Sequence, residues 1–349
     1  MTHYWYHLAA FLVSALVVLW GTPIVKKFGL KCGLVDRPGG RKIHKRPMVR
    51  LGGVAIFAGT LIALLVVWWT GGFGTLPPHK EYEVWGVTIG AIAFFLIGLA
   101  DDILTLPALV RLVMQLAVAT LVWQAGVQIE FLTVPFVGLV PLHDGISLLL
   151  TVVWLVGMAN AINMIDGLDG LAAGVSGIAA VVMLIVALFM NQPAAALIVA
   201  ALAGGALGFL RYNFNPAQIF MGDGGAYFMG FTLAGVGVIG LVKVTTVVAV
   251  LMPYLILAVP ILDIFTVVVD RVRRGKSPFA ADKRHLHHRL LQAGLSQRLA
   301  VLFIYSLTLW AGTLALAISN MPSGWGYAIG ATALLSFTSW QVWKTARQS

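Results

Sequence analysis

The chain reads as an all-α integral membrane protein, a single polytopic domain of ten or eleven transmembrane helices. Three observations predict it. Of 349 residues, 60% are hydrophobic and 10% charged, against about 25% charged in a soluble domain, so most of the outer surface must meet lipid. Apolar stretches of about 20 residues, long enough to span a bilayer, recur along the whole length. The basic residues gather in alternate connections. In a chain this apolar, the net charge of +10 points to anionic lipid or a phosphorylated substrate rather than nucleic acid.

The spans fall near residues 5–27, 51–70, 85–100, 108–126, 145–163, 169–190, 194–210, 227–242, 246–269, 299–319 and 325–343. The first has no basic leader and no small-residue cleavage site, and reads as a retained helix. Gly71-Gly72-Phe73-Gly74 and Pro77-Pro78 punctuate a loop. Ile129 to Leu142, short and apolar with Pro135 and Pro141, reads as a β-hairpin or a re-entrant piece. Cys32 is the single cysteine and has no partner in the chain. Lys26, Lys27, Lys31, Arg37, Arg41, Lys42, Lys45, Arg46 and Arg50 follow the first span; Arg271 to Arg298 follow the ninth; Lys344 and Arg347 end the chain. These connections lie on one side, which the positive-inside rule makes cytoplasmic, with the N-terminus outside and the C-terminus inside.

On that side the acids sit at helix ends: Asp101-Asp102 after the third span, Asp166 and Asp169 after the fifth, Asp223 after the seventh and Asp263 near the end of the ninth. One such Asp could simply cap a helix. Four clusters on one face, mixed with Asn and Gly, point to a site, because ionisable groups at membrane depth need partners. Adjacent carboxylates repel unless a cation lies between them, and Asp and Asn oxygens suit Mg²⁺, which keeps water and substrate phosphate in its shell. His285, His287 and His288 could suggest zinc, yet Arg284, Lys283 and Arg289 surround them and favour an anion, held by Arg forks and histidine donors. Acids for a cation facing a basic loop for phosphates, at a lipid–water boundary, describe a phosphoryl-transfer site.

Asp36-Arg37-Pro38, Arg41-Lys42-Ile43-His44, Gly52-Gly53, Asp101-Asp102, the run Asn160 to Leu171, Gly222-Asp223 and His285-Leu286-His287-His288 occur in this order. In these pieces the chain resembles the polyprenyl-phosphate N-acetylhexosamine-1-phosphate transferases (glycosyltransferase family 4), from Asp36 to about Gly294. Ser277-Pro278-Phe279 and Asp282-Lys283-Arg284 before the histidines resemble the bacterial branch that uses UDP-N-acetylglucosamine. Arg289 stands where the phospho-muramoyl-pentapeptide branch carries an acid.

The resemblance implies undecaprenyl phosphate as acceptor, UDP-N-acetylglucosamine as donor and UMP as leaving product, at a bacterial cytoplasmic membrane. It implies Mg²⁺, with Mn²⁺ as a substitute, on Asp223 and Asn163. Asp101 would deprotonate or orient the lipid phosphate with Asp102 in support. Asp166 and Asp169 would contact the nucleotide or order the site. Arg111, where some relatives carry Lys, would meet phosphate; Arg284, His285, His287 and His288 would bind the donor, and Lys45 would draw it in. A homodimer is common in the family. Two other functions remain open: transfer of another UDP-N-acetyl sugar, and a flippase or transporter coupling ions through the same acids. The latter would call for broken helices at the midplane and repeat symmetry. A direct attack by the lipid phosphate and a covalent aspartyl route also both remain open.

Overall fold

A computed structural model describes residues 4–36, 47–134, 138–241, 247–275 and 284–347. The chain runs α1 (Tyr4–Lys31), β1 (Val35–Asp36), β2 (Met48–Val49), α2 (Gly52–Trp69), α3 (Pro78–Leu104), α4 (Ala108–Gln124), β3 (Phe131–Val134), β4 (Gly138–Pro141), α5 (Asp144–Ile165), α6 (Leu171–Phe189) and α7 (Pro193–Asn213). It continues with α8 (Gly222–Val236), α9 (Val247–Ile256), α10 (Ala258–Arg273), α11 (Leu286–Gln292), α12 (Gln297–Ile318) and α13 (Gly324–Ala346).

Among the described residues, seven helices are long and apolar enough to cross a membrane: α1, α2, α3, α5, α6, α7 and α12. The expected ten or eleven spans therefore divide into these seven and a set of weaker segments. α4, α8, α9 and α10 are shorter, and α13 is long but diluted by Gly, Ser, Thr and Gln. The span expected at 246–269 is two helices. Pro260 has no N–H for the Ile256 carbonyl and its ring crowds that carbonyl, so the ladder breaks between α9 and α10. The span expected at 85–100 extends to Pro78 and Leu104. The segment at 129–142 is a hairpin, with Phe131 opposite Pro141 and Val134 opposite Gly138.

α8 is the centre of the bundle. It packs on α3, α5 and α2, and every one of its residues is buried except Asp223. A helix apolar all round belongs in a core, and glycines let it sit close. A Cβ on Gly98 of α3 would stand 2.5 Å from the Asp223 carbonyl and the Gly224 nitrogen. α1 packs on α7 and α2, while α12 packs on α6 and α13. Outside, the usual order inverts: Trp5, Trp20, Trp69, Trp325 and Phe337 are exposed, as suits a surface that meets lipid tails rather than water. At the end of α13, Arg347 lies 3.9 Å over the Trp343 ring, pairing a cation with an aromatic face.

Candidate active site

The pocket begins with two short pairings near the chain start. β1 and β2 pair antiparallel, Val35 opposite Val49 and Asp36 opposite Met48. Beyond β2 the backbone locks onto the segment before α8. Phe220 N donates to Val49 O at 2.9 Å, Gly52 N to Phe220 O at 2.9 Å, and Gly53 N to Met221 O at 2.7 Å. Gly222 then takes a positive φ of 79° with the Arg50 carbonyl against it, a conformation and a spacing that leave no room for a side chain. These contacts set Arg50 at the mouth of α8, beside its one partly open residue.

Around Asp223 the acid clusters converge at one end of the bundle. Asn163, in the last turn of α5, donates through Nδ2 to Asp223 Oδ1 at 2.8 Å. Asp102, in the last turn of α3, accepts from the Asp223 and Gly224 amides, both at 3.0 Å. It thereby caps α8 from another helix, placing a carboxylate at the positive end of the helix dipole. Asp101 accepts from Leu106 N at 2.7 Å and forms an ion pair with Arg111 of α4. The same guanidinium lies 3.7 Å from Asp223 Oδ2. Beneath them Asn160 donates to Gln115 Oε1 at 2.7 Å, tying α5 to α4.

A pocket of about 740 Å³ opens over this end, lined among others by Arg50, Asn163, Asp166, Asp169, Asp223 and His288. Burial, then the charge of Asp223, pushes the Asp166 carboxyl up to about 8, with Arg50 opposing. Crowded carboxylates that resist ionisation are what a bound cation relieves. The oxygens of Asp223 and Asn163 suit a hard divalent ion. Among the described residues no three His, Cys, Asp or Glu side chains form a cage, and Mg²⁺ needs none.

The floor is held by side chains with little sequence signal. Asp169 Oδ2 accepts from Asn215 Nδ2 and Ala217 N, both at 3.0 Å. Asn213 accepts from Gly170 N at 3.1 Å and donates to Ile219 O at 2.9 Å. Tyr305 of α12 donates to Gly170 O at 2.5 Å. Asp169 therefore orders the loop rather than standing free in the pocket.

The histidine segment divides. His288 lines the pocket. His287 is buried against Gly167, and burial, then the charge of His288, pushes its imidazole down to about 4. His285 is buried and faces Asp263 of α10, so it does not present itself to the pocket as expected. Arg284 is exposed and pairs with Asp270 at 2.7 Å, a residue that Arg274 also meets at 2.9 Å; it is not among the residues that line the pocket. Asp101, Asp102, Arg111 and His287 are likewise not among the residues that line the pocket; Asp101 and Arg111 pair beside Asp223, and Asp102 holds its amide. Lys45 lies outside the described residues. Arg50, Asn215 and Gln297 line the pocket without a role assigned to them from sequence; for Arg50 the adjacent Gly52-Gly53 was the available signal, and Asp36, which opens the Asp36-Arg37-Pro38 piece, lines the pocket as well.

Fold and site together define a multi-pass membrane protein with an acid-lined pocket at one end of its helix bundle. Residues 84–242 match Glycosyl transferase family 4. The chain is 38% identical over 331 residues to the probable undecaprenyl-phosphate N-acetylglucosaminyl 1-phosphate transferase of Bacillus subtilis (strain 168), covering 95% of this chain and 86% of that one. It is 34% identical over 335 residues to the decaprenyl-phosphate N-acetylglucosaminephosphotransferase of Mycolicibacterium smegmatis, covering 88% and 80%. To the undecaprenyl-phosphate alpha-N-acetylglucosaminyl 1-phosphate transferase of Salmonella typhi it is 28% identical over 300 residues, covering 84% and 77%. The chain belongs to glycosyl transferase family 4.

Proposed function

We propose that this protein transfers N-acetylglucosamine 1-phosphate from UDP-N-acetylglucosamine to undecaprenyl phosphate, giving undecaprenyl-pyrophosphoryl-N-acetylglucosamine and UMP. The reaction runs at the cytoplasmic face of a bacterial inner membrane and starts a lipid-linked envelope glycan. The observation that carries the reading is the Asn163–Asp223 pair at the pocket mouth, in a chain 38% identical to a relative of that name along 95% of its length. The mycobacterial relatives, named for decaprenyl phosphate, make a polyprenyl chain one unit shorter the second reading of the acceptor.

Asp223 and Asn163 would hold Mg²⁺, and the ion when bound supplies charge neutralisation on the donor pyrophosphate. Arg50 and His288 face the same space and bind phosphate and sugar oxygens. An oxygen of the lipid phosphate attacks the phosphorus that bears the sugar. The bond from that phosphorus to the bridging oxygen breaks, and UMP leaves with the electron pair. A phosphate monoester has its second pKa at about 6, so at neutral pH the nucleophile needs little help from a base, and the work left is positioning and charge neutralisation. Arg111, aimed by Asp101, receives the incoming phosphate beside Asp223. Direct displacement fits the geometry better than a covalent aspartyl route. Both oxygens of Asp102 already take backbone amides, and Asp101 is engaged by Leu106 and Arg111.

The test is UMP release from purified protein given undecaprenyl phosphate, Mg²⁺ and a panel of UDP-N-acetyl sugars. Release with UDP-N-acetylglucosamine that needs both lipid and Mg²⁺ is the expected result. Release with a different sugar alone would correct the donor, and silence with every donor would remove the reading.

A further inference from the structure

The chemistry above leaves one buried acid unused. Asp263 lies on the inner face of α10 with Val267 and Arg271, its exposure only 6%. Both of its oxygens are engaged at the start of α11, on its first residue and on the residue before it. Oδ2 stands 2.8 Å from His285 Nδ1, itself on a residue 6% exposed, and Oδ1 accepts from Leu286 N at 2.7 Å. The contact ties the rotation of the His285 ring, and the tautomer it adopts, to the position of the Asp263 carboxyl. From there the contacts run toward the pocket. The His285 and His287 rings lie near parallel, 5.8 Å apart, and His287 is 4.2 Å from His288. His287 also bears on Gly167, beside Asp166.

An apolar contact would hold α10 to α11 without the desolvation that a buried acid incurs. What an apolar contact does not do is fix a ring's rotation and tautomer. Resting on the transferase reading, we infer that Asp263 is a positioning residue for the donor: it sets His285 and the start of α11 so that His288 faces the pocket that Asp223 also lines. The group acted on is the nucleotide-sugar pyrophosphate, and the lipid phosphate is not affected.

The test compares KM for UDP-N-acetylglucosamine and for undecaprenyl phosphate in the wild type, Asp263→Ala, Asp263→Asn, His288→Ala and the Asp263→Ala/His288→Ala double variant. Loss of an orienting partner lowers affinity or activity by about 10- to 100-fold, so Asp263→Ala raises the donor KM at least about tenfold and leaves the acceptor KM alone. Because both residues act through one contact, the double variant is no worse than His288→Ala. Asp263→Asn keeps an oxygen for Leu286 N but turns an NH₂ toward His285, and raises the donor KM less; it carries the test where Asp263→Ala does not fold. An unchanged donor KM in a folded variant, or effects of Asp263→Ala and His288→Ala that multiply, would overturn the assignment. Wild-type protein that releases no UMP from any donor would instead remove the transferase reading and this role with it.

Discussion

Asp102 accepts the backbone amides of Asp223 and Gly224 through its two oxygens, each at 3.0 Å. One member of the Asp101-Asp102 pair thus holds the first turn of α8, the turn that presents Asp223. Loss of a helix cap removes about 0.5–2 kcal/mol. Asp102→Ala should lower the melting temperature of the detergent-solubilised protein and raise the Mg²⁺ concentration needed for half-maximal UMP release. Asp102→Asn keeps oxygen for one amide only and should fall between. An Asp102→Ala protein with wild-type stability and wild-type Mg²⁺ response would mean that the amides find other partners.

Asn163 and Asp223 are joined by a second contact of the site, at 2.8 Å. Asp223→Ala should abolish UMP release at any practical Mg²⁺ concentration. Asn163→Ala removes one oxygen donor and the bond that orients Asp223, a loss of about 10- to 100-fold in metal affinity by analogy with other orienting partners. The measurement is a Mg²⁺ titration of activity, in which Asn163→Ala shifts to higher concentration but reaches a measurable plateau. Retention of the wild-type midpoint in either variant would refute the ligand pair.

Arg50 opposes the burial and the Asp223 charge that push the Asp166 carboxyl up, and it lines the pocket. Arg50→Ala should raise the donor KM by about tenfold or more, as loss of a charge-assisted contact of about 1.5–3 kcal/mol implies. Arg50→Lys should rescue only in part, since an ammonium does not reproduce the planar fork. Full rescue by Lys would reduce the role to net charge.

The acids and the glycines beside them could be read from the chain because their cost at membrane depth makes them conspicuous against an apolar background. Among the described residues the apolar stretches likewise located the long helices, most to within a few residues, with α3 beginning seven residues before the expected start at 85. What the sequence did not separate was direction. Nothing in His285-Leu286-His287-His288 says that the first ring turns back to Asp263 while the last reaches the pocket, because that depends on where α10 packs. Asp169 and Asp166 share one motif, yet Asp169 binds Asn215 and Ala217 of a loop more than forty residues on. The break at Leu257 was hidden because Pro253 and Pro260 lie inside one unbroken apolar run.

Gly167 carries the contact between the acid loop and the histidine segment. A Cβ there would collide with the His287 ring at Nε2. The ring is buried and cannot swing out freely, so Gly167→Ala should displace α11 or the loop, at about 1–3 kcal/mol for overpacking. Donor KM should rise together with the fall in melting temperature. Gly167→Ala combined with His287→Ala should recover part of the stability, because the added methyl then has room. If the double variant is less stable than Gly167→Ala alone, the clash is not with His287.

Burial among His285, His288 and Asp263 pushes His287 down to about 4, with burial and the His288 charge lowering it and Asp263 acting the other way. An unfolded histidine titrates near 6.5. Between those values the unfolded chain binds more protons at this site than the folded one, so stability rises with pH. The contribution is fully present above about 6.5 and is lost as pH falls toward 4, by about 3 kcal/mol when the loss is complete. Melting temperature measured from pH 7.5 down to 5 should therefore fall more steeply for the wild type than for His287→Gln, which has no proton to gain. Equal slopes would place the titrating group elsewhere, and a steeper fall in His287→Gln would reverse the sign assigned to this ring.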